Sequence, residues 1–288
     1  MCQAGAVTER QPEGFFDAYV FDLDGTIFLG DALLPGVARA VGELRRRGLP
    51  VRFLSNNATR DPGQYAEKLG RLGLPSDVAD IVNTVVTTTA WVLEHHPDAV
   101  VFPIAEEPLF RALAQAGIRT SEDPAEIDIV IASYDRAFDY RKLQIAFDAI
   151  WFHRRAILVQ TNPDRYCPYP GGRGEPDCAA ITAAIEACTG TRCVASLGKP
   201  SPLMLAAALR GLAVPAERAI MVGDRLATDI AMAREAGMAS ALVLTGDSTV
   251  VDVAALDAAS RPDFVLDRLD RLIPLSAWSD LGWGVPGP

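Results

Sequence analysis

Two aspartates that follow an apolar stretch are the residues of this chain best suited to chemistry. Asp22 and Asp24 come directly after the apolar run 18–21, and Gly25 follows them. A buried strand of a parallel sheet is apolar along its length and functional groups lie past its carboxyl end, so packing gives no reason for two acids here. Asp-x-Asp-Gly also opens calcium loops, but those need further oxygen ligands and a closing glutamate, whereas the residues after Gly25 are mostly apolar. The pattern therefore argues against a calcium loop.

Small polar side chains follow a second apolar stretch. Residues 49–54 form that stretch, and Ser55, Asn56 and Asn57 come next. Side chains of this size hydrogen-bond an oxyanion and fit a tight turn. Lys199 adds a positive charge in a segment that a neighbouring glycine and proline stiffen. These residues indicate a site for an anionic group.

Two further acids follow a third apolar stretch. Residues 219–222 form it, and Asp224 and Asp229 come after it. If these acids converge with Asp22 and Asp24, their like charges oppose folding unless a cation neutralises them. Carboxylate oxygens are hard ligands that suit Mg²⁺, which commonly binds through one or two carboxylates and a substrate phosphate. The sequence therefore predicts a magnesium site.

Taken in chain order, these segments resemble the four motifs of the haloacid dehalogenase superfamily of aspartate-nucleophile phosphatases. The matching residues are Asp22-Leu23-Asp24-Gly25-Thr26, then Ser55-Asn56-Asn57, then Lys199, then Gly223-Asp224 with Asp229. Further segments are similar to the NagD-like, p-nitrophenyl phosphatase branch (subclass IIA), namely Phe28-Leu29-Gly30, Leu34-Pro35-Gly36 and Gly198-Lys199-Pro200-Ser201-Pro202. The resemblance covers roughly 16–270 and implies a phosphatase.

The resemblance implies a role in phosphoryl transfer for each acid. Asp22 would attack phosphorus and form an aspartyl-phosphate, and Asp24 would protonate the leaving oxygen and then take a proton from water. Mg²⁺ would be held by Asp22, by the backbone carbonyl of Asp24 and by Asp224. Asp229 would orient a metal-bound water. Mg²⁺ is therefore the expected cofactor.

The resemblance also implies a phosphate-binding set made of Ser55, Asn56 and Lys199. Ser55 and Lys199 would hold the phosphoryl oxygens on which negative charge spreads in the transition state. Asn56 and Asn57 would act by shaping their turn and would not react themselves. All three members of the set lie outside the acidic motifs.

The leaving group separates two enzyme classes within the superfamily. In the dehalogenases the position that matches Asp24 is not an acid, because a halide needs no proton, so Asp24 favours a phosphatase. The transport ATPases of the superfamily need membrane spans, and no stretch of this chain approaches ~18 uninterrupted apolar residues. Two alternatives stay open: a phosphotransferase or mutase that uses the same phosphoenzyme, and a non-catalytic metabolite-binding protein on the same fold.

Substrate choice is expected to depend mainly on residues of an inserted domain. The candidates there are Asp164, Arg165 and Tyr166, in and next to a segment that resembles a loop of the family facing the core, and Arg60 is a further candidate. The three residues of the insert are explained equally well as ordinary solvated loop residues, and the segment of Arg60 as a helix N-terminus with Asp61-Pro62 beside it. The small phosphomonoester could be a sugar or polyol phosphate, phosphoglycolate, a nucleoside monophosphate or an aryl phosphate.

Composition describes a packed protein with an acidic surface. The chain has 288 residues, of which 49% are hydrophobic and 22% charged, and a net charge of −10. Nucleic acids and anionic membranes are bound by basic surfaces, so neither is an expected partner. Five cysteines without a Cys-x-x-Cys pair indicate reduced thiols, and the first residues lack the apolar stretch of a signal peptide. We therefore expect a cytoplasmic protein.

Apolar strands alternate with amphipathic helices, which predicts an α/β fold with a Rossmann-like, doubly wound parallel-sheet core. Core strands are predicted near 18–22, 50–54, 219–223, 241–244 and 263–266, with helices near 37–47, 63–72, 202–210 and 229–236. The interval between Asn57 and Lys199 is too long for a crossover and predicts an inserted domain. Its strands are predicted near 100–104, 127–132 and 156–160, with helices near 108–116 and 142–153.

The resemblance implies that this insert is an α/β cap of the C2 type, which excludes water from the reaction. The predicted segments are an N-terminal tail 1–14, a first core part 15–96, the cap 97–193, a second core part 194–277 and a C-terminal tail 278–288. A homodimer formed through the cap is a further expectation from the resemblance.

Overall fold

The computed structural model describes residues 10–169 and 173–284. The chain divides into two compact units. The first unit comprises Met1–Leu54, Lys68–Ile81 and Ala208–Pro288, and the second comprises Ser55–Glu67 and Val82–Ala207. The predicted cap, 97–193, lies within the second unit, which begins earlier and ends later than the prediction.

The helices and strands of the described residues are as follows. The strands are β1 Ala18–Asp22, β2 Phe28–Leu29, β3 Ala32–Leu33, β4 Val51–Ser55, β5 Ile81–Asn83, β6 Val100–Ile104, β7 Arg119–Thr120, β8 Ile129–Ala132, β9 Ile157–Gln160, β10 Tyr166–Tyr169, β11 Arg173–Pro176, β12 Ala195–Ser196, β13 Ala219–Gly223, β14 Ala239–Val243 and β15 Phe264–Leu266. The α-helices are α1 Val37–Arg46, α2 Pro62–Arg71, α3 Thr84–His95, α4 Glu107–Gln115, α5 Tyr140–Phe147, α6 Cys178–Thr189, α7 Pro202–Leu209, α8 Ala231–Glu235, α9 Val250–Ala255 and α10 Leu275–Trp278.

A six-stranded sheet organises the first unit, with the strand order β15-β14-β13-β1-β4-β5. β1 pairs in parallel with β13 on one side and with β4 on the other, so the chain winds outward from β1 in both directions. All five residues of β1 are buried, as expected for a central strand covered on both faces. Because parallel strands end at the same edge of a sheet, the residues that follow β1 and β13 are brought together.

α1 shows how a helix of the first unit packs. Its apolar residues recur every three or four positions, and Val37, Val41 and Leu44 are fully buried. Glu43 is buried as well, and its carboxylate accepts hydrogen bonds from Arg46 and Arg47. The Arg46 side chain lowers the pKa of Glu43 by hydrogen bonding, with a further contribution from Arg47. The buried acid is therefore neutralised within its own helix terminus.

A five-stranded parallel sheet organises the second unit, with the strand order β12-β9-β8-β6-β7. Successive residues of β8 point to opposite faces and enter two separate cores. Val130 and Ala132 pack with residues of α5 and α6, whereas Ile129 and Ile131 pack with residues of α3 and α4. The second unit is therefore a sheet with helices on both faces, and it has its own hydrophobic cores.

Several helices differ from the sequence prediction. α3 and α6 were given no bounds in it. Buried threonines interrupt the apolar pattern of α3, and the exposed alanines Ala180, Ala183 and Ala187 hide which side of α6 is buried. The helix predicted at 229–236 begins instead as a π-helical turn, Leu226–Ile230, which continues into α8. The helix predicted at 142–153 likewise ends in a π-helical segment, Asp148–Phe152.

The predicted tails are only partly described, since residues 1–9 and 285–288 lie outside the described ranges. Within them, the segment 278–284 differs from a solvated tail. Trp278 is buried and its indole N–H donates to the carbonyl of Ile273 over 3.0 Å. The guanidinium of Arg39, from α1, lies 4.1 Å from the ring centre of Trp283. Aromatic burial and a cation–π contact thus fix this segment onto the first unit.

Within 10–169 and 173–284, every helix is too short or too polar to cross a bilayer.

Candidate active site

Three aspartates of the first unit lie together. Asp22 ends β1, Asp224 follows β13, and Asp229 lies in the π-helical turn Leu226–Ile230. One carboxylate oxygen from each lies within 4.8 Å of the other two. Their exposed fractions are 7%, 3% and 0%, so the three acids are buried. The structure thus brings together three of the four acids in the predicted metal set.

The Asp224 carboxylate fits closely against backbone. The backbone N–H of Asp247 donates to its Oδ2 over 2.7 Å. A Cβ atom at Gly25 would lie 2.5 Å from the same oxygen, and one at Gly246 would lie 1.9 Å from it. Both distances are too short for any side chain, so glycine is needed at both positions. Thr245 also donates to the Gly25 carbonyl over 2.7 Å, which joins the two loops that enclose Asp224.

Asp229 is held by the loop after β13. The backbone N–H of Arg225 donates to Asp229 Oδ2 over 3.1 Å. A Cβ atom at Gly223 would lie 2.3 Å from Asp229 Cγ, so the carboxylate approaches the end of the strand directly. The π-helical turn sets this approach, because it widens the first turn where a regular α-helix was predicted. The loop therefore positions Asp229 beside the other two acids.

The three carboxylates have the donor chemistry of a site for a hard divalent cation. Their ligand atoms are all oxygens, which Mg²⁺ prefers over nitrogen or sulfur. Three acids within this distance in a buried environment repel each other strongly, and a divalent cation removes that cost. Among the residues that the structure describes, no other group of three His, Cys, Asp or Glu side chains is placed to hold a metal. These residues therefore fit the predicted Mg²⁺.

Asp24 has a different environment from the other acids. It is exposed, and its side chain is not part of the three-acid group. The backbone N–H of Gly25 donates to the carbonyl of Phe28 over 2.9 Å, and Asp24 forms an isolated bridge with Phe28. The turn after β1 is closed by these contacts. Asp24 therefore lies on an ordered turn with its carboxylate accessible to water.

A second set of predicted residues is brought together within the second unit. The Asn56 Oδ1 accepts from the backbone N–H of Lys199 over 2.7 Å. Its Nδ2 donates to the backbone carbonyl of Lys199 over 3.1 Å and to Asp164 Oδ2 over 3.1 Å. Asn56 and Lys199 are 7% and 3% exposed. Both ends of the Asn56 amide are therefore hydrogen-bonded to protein groups.

Gly198 allows this close contact. A Cβ atom there would lie 2.6 Å from Asn56 Oδ1, 2.7 Å from the carbonyl oxygen of Thr161 and 2.8 Å from Thr84 Cγ2. Two of these three atoms belong to groups that cannot move away easily. The glycine before Lys199 is thus a packing requirement of the network around Asn56.

Ser55 has two hydrogen-bond contacts in the second unit. Its Oγ lies 3.1 Å from the hydroxyl oxygen of Tyr65, and it accepts from the backbone N–H of Asn57 over 3.2 Å. Tyr65 lies on α2 and is fully buried. Its position among apolar residues predicts only helix packing, so sequence reasoning missed this contact. Nothing in the sequence around Tyr65 indicates that its hydroxyl contacts a serine ten positions earlier.

The candidate specificity residues separate into two groups. Asp164 is half-buried and directed at Asn56, and its backbone N–H donates to Asn162 Oδ1 over 2.8 Å. Arg60, Arg165 and Tyr166 are exposed. The structure therefore gives Asp164 a defined internal contact, which the prediction for it as a substrate-facing loop residue did not include.

A polar cluster next to the hairpin of β10 and β11 was not predicted. Tyr134 and Tyr169 both donate to Glu175, the latter over 3.2 Å. The hydrogen bond from Tyr134 lowers the pKa of Glu175, while burial raises the pKa of Tyr134. Arg136 contacts Glu106 through two hydrogen bonds of 2.6 and 2.7 Å. Because Tyr134 and Glu175 are 41 positions apart, no local pattern could have indicated this cluster.

The chain matches two family models. Residues 19–119 match the haloacid dehalogenase-like hydrolases, and residues 196–272 match the HAD-hydrolase-like family. It is 34% identical over 257 residues to the sugar-phosphatase AraL of Bacillus subtilis. The aligned region covers 89% of this chain and 92% of that protein. Both motif-bearing parts of the first unit thus match the same superfamily.

Solved structures give the same result. The chain resembles the 4-nitrophenylphosphatase of Thermotoga maritima with a TM-score of 0.83 and 31% identity, over 89% of this chain and 96% of that one. It resembles NagD of E. coli with a TM-score of 0.80 and 25% identity, over 91% and 100% of the two chains. The predicted fold class is confirmed. The chain therefore belongs to the haloacid dehalogenase-like hydrolases, and within them to the NagD-like, p-nitrophenyl phosphatase branch of phosphatases.

Proposed function

We propose that the protein is a Mg²⁺-dependent hydrolase of small phosphomonoesters that works through an aspartyl-phosphate on Asp22. The observation that carries the proposal is the group formed by Asp22, Asp224 and Asp229, whose carboxylate oxygens lie within 4.8 Å of one another. Buried acids at this distance are costly for folding and suit a cation site. Membership in a family of phosphatases supports the same reaction.

Asp22 and Asp24 divide the chemistry between them in this proposal. A carboxylate oxygen of Asp22 attacks phosphorus, the bond from phosphorus to the ester oxygen breaks, and Asp24 gives its proton to the leaving alcohol. Asp24 is then a carboxylate and takes a proton from water, whose oxygen attacks phosphorus. Inorganic phosphate leaves and Asp22 is restored. The exposure of Asp24 supports this role, since its carboxyl group must meet both a leaving group and water.

Mg²⁺ would be held by Asp22, Asp224 and the backbone carbonyl of Asp24, with Asp229 orienting its water ligand. When bound, it supplies positive charge to the phosphoryl group. Ser55 and Lys199 are proposed to bind the phosphoryl oxygens, as the family resemblance implies. Lys199 supplies a charge and Ser55 a hydroxyl donor for this purpose.

Sugar phosphates are the substrate class that we favour. The relative that is 34% identical over 89% of the chain is named a sugar-phosphatase. Aryl phosphates such as p-nitrophenyl phosphate are expected as artificial substrates, because the Thermotoga structure is a 4-nitrophenylphosphatase. Phosphoglycolate, polyol phosphates and nucleoside monophosphates complete the panel to be tested.

Phosphate release from this panel tests the proposal. We expect release with Mg²⁺ and its loss with EDTA, and Asp22→Asn should lower kcat at least ~10⁴-fold because the nucleophile is gone. Asp98→Asn, at an exposed acid away from all motifs, is the matched control and should retain wild-type activity. Release in EDTA, or full activity of Asp22→Asn, would contradict the proposal.

Two related expectations are checked with the same preparation. Adding an alcohol or sugar acceptor distinguishes a hydrolase, which releases inorganic phosphate, from a phosphotransferase, which forms a new ester. Sedimentation tests the homodimer that the family resemblance implies. A monomer at all concentrations would contradict that assembly without affecting the proposed reaction.

A further inference from the structure

The Asn56 side chain contacts the backbone of a single distant residue from both sides. Its Oδ1 accepts from the N–H of Lys199 over 2.7 Å, and its Nδ2 donates to the carbonyl of the same residue over 3.1 Å. A buried amide that binds both backbone groups of one residue fixes the two peptide planes on either side of it. The backbone of Lys199 is therefore held by a side chain 143 positions away.

We propose that Asn56 is a positioning residue that orients Lys199 for the phosphoryl group, and that Asp164 orients Asn56. An amide carries two N–H donors, and here one donates to the Lys199 carbonyl and the other to Asp164 Oδ2. No N–H of this side chain is left for a phosphoryl oxygen, which accepts hydrogen bonds. The side chain of Asn56 thus acts through Lys199 and does not bind phosphate itself.

Asp164 determines which way the amide faces. A carboxylate only accepts, so it requires the Nδ2 end of Asn56 on its side and leaves Oδ1 for the backbone N–H of Lys199. Asp164 is itself held, because its backbone N–H donates to Asn162 Oδ1 over 2.8 Å and its carbonyl accepts from Ala179. Asn162 in turn donates to the Asn56 carbonyl over 3.0 Å. The loop after β9 therefore sets the orientation of Asn56.

This arrangement gives Lys199 a fixed backbone before any substrate is present. Groups that are oriented in advance stabilise a transition state without reorganising during the reaction, so releasing the backbone of Lys199 should weaken phosphoryl binding. The inference rests on the proposed function to this extent: Lys199 must contact the phosphoryl group for its orientation to affect turnover.

A double-mutant cycle separates positioning from direct binding. We expect Asn56→Ala to lower kcat/KM for p-nitrophenyl phosphate roughly 10- to 100-fold in the wild-type background, as loss of an orienting partner does. In the Lys199→Ala background the same substitution should change kcat/KM less than about 3-fold, since Asn56 acts through Lys199. Independent, additive losses would overturn the proposal.

A reciprocal exchange tests the role of Asp164. Asn56→Asp keeps an acceptor for the Lys199 N–H, but it loses the donor to the Lys199 carbonyl and sets two carboxylates against each other, so activity should fall. Adding Asp164→Asn supplies an amide donor from the other side. We expect the exchanged pair to recover part of the activity that N56D loses, because the contact between the two side chains returns while the bond to the Lys199 carbonyl stays lost. If N56D instead lost activity because its new carboxylate repelled a bound phosphate, a change at position 164 would not restore that activity. Failure of the exchange to recover activity would therefore contradict the proposal.

Hydrogen exchange measures the contact without turnover. The amide of Lys199 should exchange at least 10-fold faster in Asn56→Ala than in the wild type under conditions where thermal unfolding shows both to be folded. Unchanged protection would overturn the inference even if activity falls. Wild-type protein that hydrolyses no phosphomonoester would instead contradict the proposed function, and the exchange result would still report on the contact.

Discussion

The acid group of the first unit and the amide network of the second solve opposite problems. Asp22, Asp224 and Asp229 gather three like charges in a buried space. In the network, each donor of the Asn56 amide meets an acceptor from Lys199 or Asp164. The first arrangement is costly for folding without a cation, whereas the second contributes to stability by itself. Residues that bind the cation and residues that position other groups can therefore be told apart by how the free energy of unfolding responds to substitution.

The largest expected effect is on activity and comes from the acid group. Asp224→Asn keeps an oxygen that accepts from the Asp247 N–H but removes one negative charge, so it should lower kcat/KM about 10³-fold as a site for the cation is lost. In EDTA the free energy of unfolding of Asp224→Asn should be between the wild-type value and about 1 kcal/mol above it, because the repulsion between like charges falls. Thermal unfolding in EDTA checks this stability. If Asp224→Asn is clearly less stable than the wild type there, the three acids do not destabilise the fold in the absence of a cation.

The network should show the opposite response. Gly198→Ala places a Cβ atom 2.6 Å from Asn56 Oδ1, so we expect a loss of about 1–3 kcal/mol from overpacking together with a higher KM. Gly42→Ala is the matched control, since nothing lies within 4 Å of a Cβ at that exposed position of α1. It should stabilise the protein by about 0.5–1 kcal/mol. Equal urea midpoints for the two variants would contradict the packing argument.

Glu43 differs from the acid group, because it is a buried acid with arginine partners at the end of its own helix. Arg46 and Arg47 lower the pKa of Glu43, so its contribution to stability is present above its ordinary pKa and is lost as the pH falls through the lower folded value. Glu43→Gln should cost about 1 kcal/mol near pH 7, a value reduced because the arginines are partly exposed. Urea unfolding of both proteins from pH 7 to pH 2 should show the difference shrinking below about pH 4. A difference that grows on acidification would contradict this sign.

The smallest expected effect comes from Tyr65. Ser55 Oγ has two lone pairs and one proton, and it already accepts from the Asn57 N–H. If Tyr65 also donates to it, the serine proton remains for a phosphoryl oxygen, and Tyr65→Phe should raise KM about 3- to 10-fold with a stability cost of about 1 kcal/mol. Steady-state kinetics check the first part. A normal KM in a destabilised variant would show that Tyr65 serves packing alone.

The sequence predicts the acid group far better than the amide network. Asp22 and Asp224 each follow an apolar strand, and parallel strands bring their ends to one edge, so local pattern and sheet geometry suffice. Asn56 meets Lys199 and Asp164 across 143 and 108 positions. An amide takes whichever partners the tertiary structure brings to it, and no local pattern specifies them. For this reason Asn56 could be predicted as part of the site but not in its orienting role.

Helices and strands show the same difference between what a local pattern specifies and what depends on tertiary contacts. Strands such as β1 and β13 were predicted within a residue of their observed bounds, because continuous apolar runs have few alternative explanations. The bounds of α3 were not predicted, because its buried Thr84, Thr87 and Thr88 look polar in sequence. In the structure the hydroxyl of Thr87 donates to the carbonyl of Leu197 over 2.8 Å, a contact that exists only after folding. Buried polar residues thus hide a helix from analysis by hydrophobic pattern.

Calorimetric titration of Mg²⁺ tests the central claim most directly, because it measures the cation without relying on turnover. We predict that the wild type binds one Mg²⁺, that Asp224→Asn binds it at least 10-fold more weakly, and that Asn56→Ala binds it with wild-type affinity. Wild-type protein that takes up no Mg²⁺, or an Asp224→Asn variant that binds it as tightly as the wild type, would contradict the assignment of Asp22, Asp224 and Asp229 as the cation site.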